Sequence, residues 1–299
     1  MRVFVFICFV TISTYSFGQG CSDAGVCTSG SHNSFNEDPT STSFSLGQSF
    51  EMGEEHVLIS SSIIQIQVKV SSKTSISFKS NYFFVSGNLR NSSGLGDLTG
   101  NITHKIFEND NFKFYLNIGG KLPSNSSNKA NKQGLPLPMP YQSSLGTYDI
   151  MTGGSFYFEK WRFSAGYQHA FNNNNNGFLH SVWGNNEIAQ EYFESNLLKR
   201  GDDLMIRVER LFKKEKSTFS ISILPIYRIQ KDEIWKNDAY IKLDGSNQLT
   251  INLNLGLIKK VNDKLSIRFS YANPIWWRET RADGLTRFFV VYGGINYSF

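Results

Sequence analysis

The sequence predicts an all-β fold: a transmembrane, antiparallel, up-and-down β-barrel of about twelve strands. Three features predict it. The chain ends on a strand with an aromatic last residue, it opens on an export signal, and its alternating apolar runs are joined by connections that switch between short and long.

The last residues, FVVYGGINYSF, put Phe289, Val291, Ile295, Tyr297 and Phe299 on one face, with Gly293 interrupting the series. A period of two means a strand, because successive side chains point to opposite faces. A closing strand that ends in an aromatic ring resembles the C-terminal signature of outer-membrane barrels, so Tyr297 and Phe299 are expected to be the residues that the barrel-assembly machinery reads. At the other end, Met1-Arg2 is a short positive region and Val3–Val10 an apolar core. Ser16-Phe17-Gly18 supplies small residues for cleavage. Residues 1–18 are therefore expected to be a cleaved signal peptide, too short to span a bilayer. Residues 19–40 follow as a short periplasmic segment and 41–299 as the barrel. Lipidation at Cys21 is the weaker alternative, because Gly18-Gln19-Gly20 lacks the usual aliphatic residue.

The chain is 40% hydrophobic, 14% aromatic and 18% charged, with 25 Phe and 13 Tyr. Beyond the signal, no apolar run approaches the roughly 18 residues of a membrane helix. Only helices and closed barrels satisfy their backbone groups in lipid. Abundant aromatics with many Ser, Asn and Gly suit a barrel with aromatic girdles outside and a polar interior. A formal charge of +5 is too small to argue for nucleic acid. Cys21 and Cys27, in CSDAGVC, are a candidate disulfide in an oxidising compartment. Two cysteines with no second pair nearby are poor evidence for a metal, and no cofactor is expected.

The alternation recurs along the chain. Ile64, Ile66, Val68 and Val70 oppose Gln65, Gln67 and Lys69. Phe112, Phe114, Leu116 and Ile118 oppose Lys113, Tyr115 and Asn117. Trp161, Phe163, Ala165 and Tyr167 oppose Arg162, Ser164 and Gln168. Phe219, Ile221, Ile223 and Tyr227, then Leu249 to Leu257, then Leu265 to Tyr271, repeat the pattern. Short turns are expected at Ser71-Ser72, Glu108–Asp110, Glu159-Lys160, Lys213–Lys216 and Asn262-Asp263. Long polar loops are expected at Gly87–Gly94, Ser124–Gly146, Asn172–Asp202, Gln230–Asn247 and Asn273–Gly284. Eleven runs begin near Val57; an even count with both ends periplasmic requires one more, which Ser41–Glu51 fits. The long loops belong outside, so the Asn172–Asn176 run is expected to be exposed.

The face opposite the apolar one is the lumen. It collects Lys69, Lys79, Lys105, Lys113, Lys121, Arg162, Arg207, Arg228 and Arg268, against Asp97, Asp149 and Glu209. Asp97, Lys121 and Asp149 have inward parity and similar height on three successive strands, so a row is expected. Such a row is either a salt-bridged patch that stiffens the wall or a constriction that selects solutes. Arg207 and Glu209 carry the same two readings.

Gly94-Leu-Gly-Asp97 opens one strand, Lys121-Leu-Pro123 closes the next, and Gly146-Thr-Tyr-Asp149 opens the third after a Pro-rich loop. This pattern, over roughly Gly94–Phe171, resembles outer-membrane channel proteins of the phenol meta-degradation pathway type, distantly related to the long-chain fatty-acid channel. CSDAGVC is similar to the corresponding segment of Bacteroidetes members. The resemblance implies passive passage of small, often hydrophobic or aromatic solutes. The chain departs from the fatty-acid channel in length and shows no obvious N-terminal plug. Two other functions compete. One is a structural or adhesive barrel whose Asn-rich loops bind. The other is a barrel-rim hydrolase, for which His32, His56, His104, His169, His180 and the Asp202-Asp203 pair would be the candidate groups. None accompanies a nucleophile motif, so no enzyme is expected. The expected surroundings are outer-membrane lipid and a small-molecule solute.

Overall fold

The computed structural model describes residues 41–285 and 287–299. The expected signal segment 1–18, residues 19–40, and with them Cys21 and Cys27, lie outside the described residues. The strands are β1 (Ser43–Gly53), β2 (Leu58–Lys69), β3 (Thr74–Ser86), β4 (Ser92–Leu95), β5 (Leu98–Glu108), β6 (Phe112–Leu122), β7 (Asp149–Phe158), β8 (Trp161–Ala170), β9 (Asp203–Lys214), β10 (Ser217–Arg228), β11 (Glu233–Lys236), β12 (Ala239–Lys242), β13 (Leu249–Lys260), β14 (Leu265–Trp276) and β15 (Arg287–Ser298). Each wall strand pairs antiparallel with its neighbours in the chain, and β15 closes on β1 from Ser43↔Ser298 to Gly53↔Arg287. β4 and β5 together form one wall strand, and β11–β12 is a separate hairpin, so the closed barrel has twelve wall strands. No helix among the described residues is long and apolar enough to cross a membrane.

Local chemistry sets the turns at the end where the chain terminates. Asn109 Oδ1 accepts from the backbone N–H of Asn111 at 3.1 Å and of Phe112 at 2.8 Å. Asn262 Oδ1 accepts in the same way from Lys264 and Leu265. These are Asx turns, in which the side chain replaces a backbone partner. The break between β4 and β5 has a steric cause. Gly96 N donates to Asn81 O at 2.6 Å, and a Cβ on Gly96 would lie 2.5 Å from the Phe83 ring. Only glycine lets the strand pass that close.

The outward face is apolar and uncovered, with Phe50, Phe78, Ile118, Phe163, Ile223 and Ile295 all exposed. In water such a surface would be a large aggregation hazard; in hydrocarbon it is the required one. Rings gather at the turn-bearing rim: Phe112 stacks on Phe158 at 4.9 Å, Phe107 meets Phe114 at 5.9 Å, and Tyr297 meets Phe299 edge-on at 5.1 Å. This is one aromatic girdle. The inward face is polar, with Ser49 bonded to Ser61 at 2.7 Å and Ser155 to Ser164 at 2.8 Å.

At the opposite rim the first connection is tight. Glu54–His56 forms a single turn in which Glu55 and His56 take φ of 49° and 58°. The longer connections fold inward over the lumen. One apolar cluster joins wall residues Met151, Met205, Leu224 and Ile226 to loop residues Met139, Leu145, Leu198, Ile234, Ala282 and Leu285. A second joins Val57, Ile59, Phe83 and Val85 to Leu137, Tyr141, Phe178, Trp183 and Tyr192. Burial of this apolar surface, at roughly 25 cal/mol per Å², holds the loops inside the mouth.

The inward fold corrects one sequence expectation. The Asn172–Asn176 run is no exposed tip, because Asn174 and Asn176 are buried. Asn174 Oδ1 accepts from Leu198 N at 2.9 Å, and Asn176 Nδ2 donates to Ser127 O at 2.8 Å and to Leu137 O at 3.0 Å. The Asn174 amide braces the β8–β9 loop itself, and the Asn176 amide ties that loop to the β6–β7 loop. The exposed tip lies between α1 (His180–Trp183) and α2 (Glu187–Gln190), at Gly184–Asn186. An epitope inserted after Asn185 should therefore be reached by antibody on intact cells, one after Asn109 should not, and one within 174–176 should disturb loop packing. Equal labelling at 185 and 109 would reverse the orientation.

Candidate functional site

The structure brings Asp97, Lys121 and Asp149 together where the lumen meets the loops. Register pairs Lys121 with Asp149, and Lys121 Nζ lies 2.9 Å from Asp149 Oδ2 and 3.6 Å from Asp97 Oδ2. Thr147 Oγ1 donates to Asp149 Oδ1 at 2.6 Å, and Gln168 Nε2 donates to the other oxygen. Asp97 also accepts from the backbone N–H of Leu145 at 3.2 Å, which fastens the β6–β7 loop to the wall.

This row is one end of a larger buried network that the sequence did not reveal. Arg200, from the β8–β9 loop, reaches Asp149 at 3.4 Å and Asp203 at 3.0 Å. Arg228, on β10, holds Asp203 at 2.8 Å, Asp232 at 2.8 Å and Asp283 at 3.0 Å. Arg278 and Asp283, both in the β14–β15 loop, pair at 2.6 Å. Lys121, Arg200, Arg228 and Arg278 thus face Asp97, Asp149, Asp203, Asp232 and Asp283: four cations and five carboxylates, drawn from the wall and three loops. Burial alone would raise the Asp283 carboxyl; the guanidiniums of Arg278, Arg228 and Arg200 outweigh it and hold the group far below the usual carboxylate range. Two further pairs fix the β14–β15 loop and the start of β15 to β1 and its turn: Arg281 to Glu54 at 2.8 Å and Arg287 to Glu51 at 2.7 Å. Gly284 allows a close approach to the β6–β7 loop. Its φ is 63°, and a Cβ there would lie 2.5 Å from Pro140 N.

Beneath the loops lies a cavity of about 50 Å³ bordered by Lys79, Asp97, Lys121, Asp283 and Arg287 on its polar side and by Ile59, Phe83, Leu145 and Leu285 on its apolar side. That is room for one or two waters. Deeper in the lumen, Arg162 pairs with Glu209 and donates to Tyr157 Oη at 3.3 Å. Arg207 lies buried on the same face of β9, one inward position from Glu209. A second cavity of about 130 Å³ opens at the other end, lined by Lys260, Arg268 and Asn296 among others. Lys105 and Lys113 both pair with Glu108 at the turn-bearing rim.

The described histidines lie apart from one another, each with its own partner. His56 stacks on Phe288 at 6.2 Å, His104 faces outward and bonds Thr74 Oγ1 at 2.8 Å, and His180 bonds Tyr192 O at 2.8 Å. His169 Nδ1 lies 2.7 Å from Asp202 Oδ1, whose other oxygen accepts from Tyr167 Oη. No serine, threonine or cysteine bonds the His169 ring among the described residues. His32 lies outside the described residues, and no cluster of His, Cys, Asp and Glu among those described could hold a metal.

A pair of carboxyls, Glu55 and Glu191, sits where the β1–β2 turn meets the β8–β9 loop. Burial, a hydrogen bond shared with Glu191, and the charges of Glu191 and Glu54 raise the Glu55 carboxyl; His56 opposes them. Just below, Tyr141 Oη and Tyr192 Oη lie 3.1 Å apart. An acid whose folded-state pKa is raised favours the folded contact when protonated and weakens it as pH rises through that pKa. The loop should therefore be held more tightly at about pH 5 than at about pH 8, and Glu55→Gln should remove most of the difference. Hydrogen exchange of residues 187–192 checks this, and identical exchange in wild type and variant at both pH values would exclude it.

Fold and site together define a twelve-stranded, outer-membrane-type β-barrel with a buried charge network where the lumen meets the loops. No protein-family model and no curated sequence matches the chain. Solved structures do. An outer-membrane channel from Pseudomonas putida F1 aligns at 12% identity with a TM-score of 0.59, over 87% of this chain and 96% of that one. The NanC porin aligns at 9% identity with a TM-score of 0.50, over 86% of this chain and all of that one. At these identities the shared property is the fold, that of outer-membrane barrels.

Proposed function

We propose that the protein is a bacterial outer-membrane channel for passive passage of small solutes, with hydrophobic or aromatic compounds as the preferred class. It is exported by residues 1–18, assembled through recognition of Tyr297 and Phe299, and related to the phenol meta-degradation pathway channels. The observation that carries this reading is the buried charge network at the mouth, shared between wall and loops and set above a polar lumen. A purely structural barrel needs no such ring of charge at the one level where three loops converge. The apolar clusters beside the network supply surface for a hydrophobic solute once the loops move. Asp97, Lys121 and Asp149 are the selecting row, with Arg162, Arg207 and Glu209 as a second charged level below.

Conductance of purified protein in planar bilayers tests the proposal, together with swelling of liposomes in small solutes. Brief, rare openings are expected while the loops stay folded inward, and larger conductance after removal of residues 126–144. A loop-deleted barrel that folds yet never conducts would favour the adhesive alternative.

A further inference from the structure

Outside the barrel, at the loop-bearing rim, the wall carries a groove of about 920 Å³. Its lower part is made of outward side chains: Phe50 near the end of β1, Leu58 at the start of β2, Phe84 near the end of β3, and Phe289 on β15, with small Ser60 between them. All lie within the last few residues of their strands, just below the level where the loops begin. The upper part carries Arg90 and Lys129 from two different loops.

Those two cations are strapped to each other's segments. Arg90 Nη1 donates to Ala130 O, and Lys129 Nζ donates to Ser93 O. Neither forms an ion pair with a carboxylate among the described residues. Burial and the neighbouring Arg90 guanidinium hold the Lys129 ammonium below the usual lysine range. Two cations fixed side by side without a counter-charge repel each other, and an anion with several acceptor oxygens relieves the repulsion. Apolar rings below and paired cations above form an amphiphile site with a defined polarity.

We propose that this groove binds a phosphorylated, multiply acylated glycolipid of the outer leaflet, of the lipid A type. Its phosphate sits between Arg90 and Lys129, and its acyl chains lie on Phe50, Leu58 and Phe84. Arg90 offers a planar fork of donors and Lys129 a point charge, a combination suited to phosphate oxygens. The inference rests on the outer-membrane placement proposed above but not on conduction, because the groove lies outside the lumen.

Native mass spectrometry of the detergent-purified barrel with added diphosphoryl lipid A tests it. Wild type should retain one lipid, and the same lipid stripped of its phosphates should bind at least about tenfold more weakly. Arg90→Glu with Lys129→Glu should lose binding to a similar degree, while Lys213→Glu with Lys214→Glu, at the other rim, should not. Phe84→Ser should weaken binding of both lipids. The dephosphorylated-lipid comparison uses wild type alone, so it stands even if a variant assembles poorly. Equal retention of the two lipids by wild type would overturn the proposal. So would inorganic phosphate raising thermal stability as much as the lipid does, which would make this a free-phosphate site. Conductance recorded on the same preparations reports separately on the channel reading.

Discussion

Replacing Asp283 by Ala should unlatch the mouth. Asp283 accepts from Arg278 at 2.6 Å and faces Arg228 at 3.0 Å and Arg200 at 3.7 Å. All four groups are buried. Removing the carboxylate leaves three guanidiniums near one another with fewer counter-charges. Breaking a buried, hydrogen-bonded ion pair by deleting one partner costs roughly 3–5 kcal/mol, most of it from the charge left behind. The wall strands are held by their own ladders, so the loss falls on the docking of the β14–β15 and β8–β9 loops. Longer and more frequent channel openings are expected, together with faster trypsin cleavage after Arg278 and Arg281. Asp244→Ala is the matched control, because its partner Lys231, at 2.5 Å, is on the surface. Unchanged conductance and an unchanged cleavage pattern in Asp283→Ala would show that the network is not a latch. The Asp283 carboxyl is held far below its ordinary range, so its contribution is present above the unfolded value and is lost only as pH falls through the depressed one. That sign is opposite to the one expected for Glu55.

Lys121→Ala should have the second largest effect, on ion selectivity. Lys121 stands between Asp97 and Asp149, almost fully buried. Without it, two carboxylates face each other across a confined space, where fields are focused and like charges repel. The channel should shift toward cations, whereas Asp97→Ala and Asp149→Ala should shift it toward anions. Asp149→Ala should shift it more, because that change also takes a carboxylate from Arg200. Reversal potentials under a salt gradient measure this. Three folded variants with wild-type reversal potentials would reduce the row to wall structure. The same recordings on Arg207→Ala and Glu209→Ala place the second charged level relative to the first.

The barrel wall was legible in the sequence because strand facing is a local property. Period-two alternation in Phe219–Tyr227 or Leu265–Tyr271 names the outward residues directly. Short connections such as Glu159-Lys160 then force antiparallel neighbours, and neighbour pairing follows from chain order. The even-count requirement, with Phe44, Leu46, Gln48 and Phe50 on one face, placed a strand over Ser41–Glu51, where β1 runs from Ser43 to Gly53. Inward parity and equal height also put Lys121 opposite Asp149. The interruption between β4 and β5 escaped notice because its cause, the Phe83 ring against Gly96, is a contact across strands.

The mouth was not legible for a related reason. Its loops carry no period, and the contacts that fold them inward join residues far apart in the chain: Arg200 with Asp149, Arg228 with Asp283, Asn176 with Ser127. The asparagine run looked like a solvated linker because Asn disfavours regular strand. The structure uses the same side chains as buried replacements for backbone hydrogen bonds. A signal was present in the apolar loop residues Leu137, Met139 and Phe178 and in the opposed charges Arg278 and Asp283, yet nothing in their spacing names a partner. The sequence by itself therefore determined a twelve-stranded wall with a polar interior, because alternation and turn chemistry act over a few residues. Only the tertiary structure decided that the loops fold inward onto the wall and that wall and loop charges merge into one buried network, because desolvated ion pairs form only where distant segments are packed against each other.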